Sequence, residues 1–391
     1  MARTIYLDNS ATTALCPEAI AAMRQVMEET YGNPSSLHAV GLAAEKIVTA
    51  ARSDVLAALG VRGDGRQLIF CGSGSEANNL ALIGTYTAKR RRTGARVILT
   101  AGEHSSTEAA AEYLASLGAD VVRLSTKGGA LDMDEAAAAL TENTVLVSSM
   151  LVNNETGALY PVADLFRLAK AKCPDVICHC DAVQGFLKVP FSPRALGADL
   201  VTVSAHKIHG PKGMAALYVS PEILKRRALV PVIHGGQQEN GLRAGTENVI
   251  GIAGFGAAAA VGAAHFAADR EALKTLGAYL LDRLAADAPL REIKVNRPAS
   301  AVPHIISLTL PDIKSETMLH FLSGKGICVS SGSACSSHAK KVSRALSAYG
   351  LSDRAADCTI RISLAHTNTA DELDALCAAL GEGLSTLIRI R

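Results

Sequence analysis

Between residues 67 and 219 the chain alternates short apolar runs with helical patterns, and this alternation restricts the fold more than any other feature. The runs are Gln67 to Cys71, Arg96 to Thr100, Asp120 to Leu124, Thr144 to Met150, Val176 to Cys180, Leu200 to Ser204 and Met214 to Val219. Helical patterns over Gly74 to Arg92, Ser105 to Leu117 and Val162 to Lys172 fall between them. Alternation of this kind predicts an α/β fold whose seven strands form a mainly parallel sheet. Ligands of such sheets sit beyond the carboxyl ends of the strands, so the polar residues that follow each run are the first candidates for function.

The flanking regions read differently. Pro17 to Tyr31 and a second segment ending at Leu59 are helical, and Gly60 suits a left-handed cap. After residue 256 a long helical stretch leads to strand-like Ile305 to Leu308, Ile327 to Val329 and Ile360 to Leu364, and then to a last helix from Ala370. Of the 391 residues 49% are hydrophobic, more than one core normally takes. The expected division is a large domain over 16–256 and a smaller α+β domain built from 1–15 and 257–391.

A net charge of +2 provides no electrostatic footprint for nucleic acid or a membrane surface. The segment Val249 to Ala268 is apolar but rich in Gly and Ala, contains His265, and is bounded by Glu247 and Asp269-Arg270; it reads as a buried or domain-linking helix. Nine cysteines lie scattered without framework spacing, and the opening MARTIYLDNSATTAL lacks a charged stretch followed by an apolar one. Both features predict a reducing, cytoplasmic setting.

Lys207 stands just past the run ending at Ser204, before the turn at Gly210-Pro211. It reads either as a solvated turn residue or as an amine activated to form a Schiff base with pyridoxal phosphate. The stretch Gly72-Ser73-Gly74-Ser75, between a strand and a helix, suits a monophosphate cradle of backbone amides. It also fits a loose dinucleotide pattern, but no acidic residue closes the next strand. Asp181 ends another run, with Gln184 three residues on, either capping a turn or holding a proton on a pyridine nitrogen. His104 follows a strand end and is either structural or a ring that stacks on a cofactor and exchanges protons. Asn153-Asn154 offers amides to a ring hydroxyl, or simply makes a turn. Arg361 suits a carboxylate or a surface ion pair. Cys178, His179 and Cys180 alternate sides in a strand and so cannot converge on one metal ion. Cys335, within the Ser- and Gly-rich stretch Ser330 to His338, is expected to be a working thiol in a flexible loop.

Taken in order, these segments resemble the NifS/IscS-like cysteine desulfurases of the class V aminotransferase branch. The resemblance extends from Tyr6-Leu7-Asp8-Asn9 and Gly32-Asn33-Pro34-Ser35-Ser36 through Glu103-His104, Asn153-Asn154-Glu155 and Asp181-Ala182-Val183-Gln184 to Ser204-Ala205-His206-Lys207. Arg243-Ala244-Gly245-Thr246, Ser330 to Cys335 and Arg361-Ile362-Ser363 complete it. It implies the fold of fold-type I pyridoxal-phosphate transferases, a homodimer, and L-cysteine as substrate. Lys207 would carry pyridoxal phosphate; Gly74, Ser75, Ser204 and His206 would hold its phosphate, with Thr246 reaching over from the partner subunit. Asp181 would pair with the ring nitrogen, Gln184 and Asn154 would lie near the ring hydroxyl, and His104 would stack on the ring. Arg361, with Asn33 and Asn154, would take the substrate carboxylate. Cys335 would receive the sulfur as a persulfide and pass it to an acceptor protein, an iron–sulfur scaffold or a thiolation protein. A selenocysteine lyase, another β-eliminating lyase and a non-catalytic docking protein are the alternatives. Three segments depart from the family pattern: Ser337 to Ser343, His234 to Asn240, and Ala365-His366.

Overall fold

The computed structural model describes residues 4–89, 94–331 and 343–390. Strand β1 (Ile5–Tyr6) is followed by two helices, Pro17–Glu29 and Ala39–Ala58. The strands of the central sheet come next: β2 (Leu68–Cys71), β3 (Arg96–Thr100), β4 (Asp120–Leu124), β5 (Thr144–Met150), β6 (Ile177–Asp181), β7 (Leu200–Ser204) and β8 (Ala215–Val219). They lie in the order β2-β8-β7-β6-β5-β3-β4 in a seven-stranded sheet. The pairings β7–β6, β6–β5, β5–β3 and β3–β4 are parallel, and β8 runs antiparallel to both of its neighbours. The α/β class with a mainly parallel sheet is therefore the observed architecture.

Two-residue periodicity divides the strand side chains between two apolar layers. Val97, Leu146, Ile177, Leu200 and Leu217 enter one layer, and Ile98, Val147, Cys178, Val201 and Ala216 the other. The first layer is closed by helix residues such as Ala77, Leu80 and Leu114, and the second by Val48, Phe166 and Phe255. His179 is a satisfied core histidine. Its ring nitrogens stand 2.8 Å from Ser148 Oγ and 3.0 Å from Thr202 Oγ1, and burial holds it neutral down to about pH 4.

The chain then enters the 38-residue helix Val249–Ala286, which begins earlier than the sequence pattern predicts. It is long and apolar enough to cross a membrane, yet its small residues serve close helix packing. A Cβ on Gly256 would lie 2.6 Å from Cα of Ala51 in the helix Ala39–Ala58, so only glycine permits this approach. Beyond it lie β9 (Lys294–Asn296), β10 (Ile305–Thr309), β11 (Ile327–Cys328), β12 (Ser330–Ser331) and β13 (Thr359–Ser363). Strands β12-β13-β10-β9 form an antiparallel four-stranded sheet with its own apolar core around Leu308, Ile360 and Leu376. The N-terminal segment joins this region: β1 pairs in parallel with β11, and Asp8 bridges to Ser363.

Two local differences from the sequence pattern stand out. The helix expected over Gly74 to Arg92 is α-helical only over Gly74–Asn79, widens into a π-helical segment at Leu80–Gly84, and resumes as Thr85–Ala88. The short helices Met133–Ala139 and Ser315–Gly324 carry too few turns to register as periodic patterns.

Candidate active site

Strands β2, β3, β5, β6 and β7 point their carboxyl ends at one cleft of about 370 Å³. Gly74 and Ser75 arrive from the end of β2, His104 from β3, Asn154 from β5, Asp181 and Gln184 from β6, and Ser204, His206 and Lys207 from β7. Arg361 reaches the same space from β13 of the smaller sheet. Parallel pairing of neighbouring strands is what brings residues more than a hundred positions apart to one edge.

Asp181 is fixed on both oxygens. Asn78 Nδ2 donates to Oδ2 at 2.7 Å, and the backbone N–H of Val183 donates to Oδ1 at 3.0 Å. The same Asn78 amide lies 3.0 Å from Ser106 Oγ, which is itself 2.8 Å from His104 Nδ1. His104 caps the helix Ser105–Ser116, its Nδ1 accepting from the backbone N–H of Ser106. An accepting Nδ1 places the ring proton on Nε2. Burial lowers the proton affinity of His104, against the pull of Asp181 and with the help of Lys207, so the ring is neutral at physiological pH.

Lys207 lies in the turn after β7, where its Nζ donates to the backbone carbonyl of Ser10 and, at 2.7 Å, to that of Ala11. Gln184 Nε2 donates to the Ser10 carbonyl at 2.9 Å, which ties the turn after β6 to the N-terminal segment. The N–H of Thr13 donates to the His206 carbonyl at 2.9 Å. His206 is kept neutral, with its pKa lowered to about 4 by burial and then by the Lys207 charge.

Arg361 is nearly inaccessible to solvent. One amino group donates to Asp8 Oδ1 and the other to the Asn154 carbonyl, each at 2.8 Å. Its Nε has no hydrogen-bond partner among the described residues, which leaves a donor for a ligand. Glu155 lines the cleft beside it, accepting from Ser343 Oγ at 2.5 Å; burial raises its pKa to about 7, against the pull of Ser343 and Arg361.

The cleft thus gathers Gly74, Ser75, His104, Asn154, Asp181, Gln184, Ser204, His206, Lys207 and Arg361. Asn33 and Thr246 are exposed and outside the cleft of this single chain. Cys335 lies outside the described residues. Sequence reasoning missed Asn78, Ser106 and Ser10. Asn78 had a signal, since it follows Gly74 by four positions and so shares its helix face. Glu103 was also missed as an ionisable group. Its Oε1 accepts from Thr100 Oγ1 and from the N–H of Met150 at 2.6 Å, and complete burial raises its pKa to about 8.

The family model described as aminotransferase class-V matches residues 5–376. The chain is 35% identical over 376 residues to a cysteine desulfurase IscS of Dictyoglomus turgidum, covering 96% of this chain and 93% of that protein. A solved NifS-like protein superposes with a TM-score of 0.89 at 33% identity, covering 98% of this chain and 100% of that one. A second solved protein, described as SspA in complex with cysteine, superposes with a TM-score of 0.80 at 30% identity, covering 94% of this chain and 100% of that one. With its parallel-sheet cleft and with likeness to these proteins over nearly its whole length, the chain belongs to the class-V aminotransferase family, in its NifS/IscS-like cysteine desulfurase branch.

Proposed function

We propose that this chain is a cysteine desulfurase that uses pyridoxal phosphate, held on Lys207, to convert L-cysteine to L-alanine, and that Cys335 takes the sulfur as a persulfide. The observation that carries the reading is the convergence of Lys207, Asp181, His104 and Arg361 on one cleft from four strand ends. The cleft suits the cofactor. A Cβ on Gly74 would meet Val183 Cγ2 at 3.5 Å and Ser204 Cβ at 3.8 Å, ordinary contacts, so the glycine leaves a cradle where a phosphate oxygen fits. Gln184 Oε1 is buried without a partner among the described residues and is available to a ring substituent.

Bound pyridoxal phosphate supplies an electron sink for bonds at the substrate Cα. The protein directs that chemistry. Asp181, locked by Asn78 and Val183, holds a proton on the pyridine nitrogen; the neutral His104 ring lies against the cofactor face, with Nε2 carrying its proton. Arg361 orients the substrate carboxylate through Nε and its amino edge. Lys207 Nζ, released when substrate enters, removes the Cα proton. The Cys335 thiolate attacks the substrate sulfur, the Cβ–S bond breaks, and Cβ takes up a proton. Cysteine and a protein thiol thereby become alanine and a protein persulfide, with no external oxidant or reductant. Passage of that sulfur to an acceptor protein, action as a homodimer, with Thr246 and Asn33 serving a neighbouring site, and a cytoplasmic location complete the proposal.

The test combines two readings on one sample: alanine released from L-cysteine, and the intact mass of the protein afterwards. The proposal requires alanine together with an adduct of about 32 Da, one sulfur, that dithiothreitol removes. Alanine without any adduct would contradict transfer to Cys335.

A further inference from the structure

Lys188 sits seven residues beyond Asp181 and has no task in the chemistry above. Its Nζ is closed off from solvent and has no hydrogen-bond partner among the described residues. The turn that buries it is firmly built. Leu187 adopts φ 57°, the left-handed region that branched residues avoid, and its side chain presses on Gly262 of the long helix, where an added Cβ would meet Leu187 Cδ1 at 2.8 Å. The N–H of Lys188 donates to the Gly185 carbonyl at 3.0 Å. One position further back, Gln184 is bonded to the Ser10 carbonyl, which also accepts from Lys207 Nζ.

Every titratable group coupled to Lys188 is basic. Lys207 and Arg361 act on it, and it acts in turn on His206, His209 and His304. Burial, and then these two cations, lower its pKa to about 7. A carboxylate that would steady the ammonium form is absent from this set. Coupling between two sites is reciprocal, so whatever Lys207 does to the protonation of Lys188 is returned.

We propose that Lys188 is a positioning residue for Lys207: the two amines compete for protons, and Lys207 is thereby kept more often as the free amine that condenses with a carbonyl. Lys188 itself touches neither substrate nor cofactor in this scheme. The inference rests on the reading of Lys207 as the cofactor lysine, but its test does not.

The experiment follows the reactivity of Lys207 in cofactor-free protein. Trace acetic anhydride is applied across a pH series, and acetylation of the Lys207 peptide is quantified by mass spectrometry. Lys188→Met removes the competing charge, and the midpoint of Lys207 acetylation is expected to rise by about one unit or more. Lys188→Arg keeps a permanent cation and is expected to hold the midpoint at or below that of the wild type. Equal midpoints in the wild type and Lys188→Met would overturn the inference. Should Lys188→Met fail to fold, the wild-type profile decides: two steps support coupled lysines, and a single step at the midpoint of an ordinary lysine overturns them. Addition of pyridoxal phosphate to the same preparations separates this result from the functional reading. Visible absorbance with an unmoved midpoint sinks only the inference, and no absorbance in the wild type sinks the reading of Lys207.

Discussion

Asn78 and Asp181 are joined by a 2.7 Å hydrogen bond between a side-chain amide in the helix after β2 and a carboxylate at the end of β6. The bond fixes the carboxylate while the N–H of Val183 holds its other oxygen, so Asp181 meets the cleft in one orientation. Replacing Asp181 by Asn keeps the shape and removes the charge. The proposed role predicts a fall in kcat of about 10²–10⁴-fold with the fold intact, whereas Asn78→Ala should cost about tenfold. Steady-state alanine formation with matching circular dichroism spectra checks both.

Gly74→Ala separates folding from cofactor binding. The added methyl meets Val183 and Ser204 only at ordinary contact distance, and alanine is the better helix residue. Thermal stability of the cofactor-free variant should therefore equal or slightly exceed that of the wild type. Affinity for pyridoxal phosphate should fall at least about tenfold, because the methyl occupies the cradle. Titration of visible absorbance against added cofactor measures this.

Arg361→Ala should raise KM for L-cysteine by about 10²-fold while cofactor absorbance persists, since a charge-assisted contact to carboxylate is worth about 1.5–3 kcal/mol. Arg361→Lys should recover little of that loss, because a lysine cannot also span Asp8 and the Asn154 carbonyl. Substrate saturation curves for the two variants provide the comparison.

Glu103 predicts a pH dependence of stability whose sign is fixed. Its folded pKa of about 8 lies above the ordinary glutamate value of 4.5, so between these pH values the native state binds the extra proton. Stability from this group is complete below pH 4.5 and is lost as pH rises through the window to about 8. His179 acts at the other end: its folded pKa of about 4 lies below 6.5, so its contribution is lost as pH falls between them. Glu103→Gln should remove on the order of a few kcal/mol of the alkaline loss, seen as a smaller drop in urea midpoint from pH 5 to pH 8.

Much of this site was legible in the sequence because a parallel sheet converts strand ends into neighbours. Once the runs ending at Thr100, Met150, Cys180 and Ser204 are accepted as parallel strands, His104, Asn154, Asp181 and Lys207 must face one edge. Asn78 and Ser106 were not legible, since their part depends on side-chain directions inside two helices and on the gap between them. Glu103 beside His104 read as a polar turn residue; its burial follows from the β3–β5 pairing, which carries the Met150 N–H to its carboxylate. Lys188 carries no signal either, because its isolation is set by the left-handed turn at Leu187. Asn33 and Thr246 lie outside this chain's own cleft, where a family motif alone does not say which subunit a residue serves.

The central claim is sulfur transfer from cysteine to one thiol of this chain. Intact mass spectrometry after incubation of the cofactor-loaded protein with L-cysteine tests it most directly, with Cys335→Ala run alongside. The account predicts a dithiothreitol-sensitive gain of about 32 Da on the wild type and none on the variant, both retaining cofactor absorbance. Equal adducts on both proteins, or alanine release by Cys335→Ala at the wild-type rate, would contradict it.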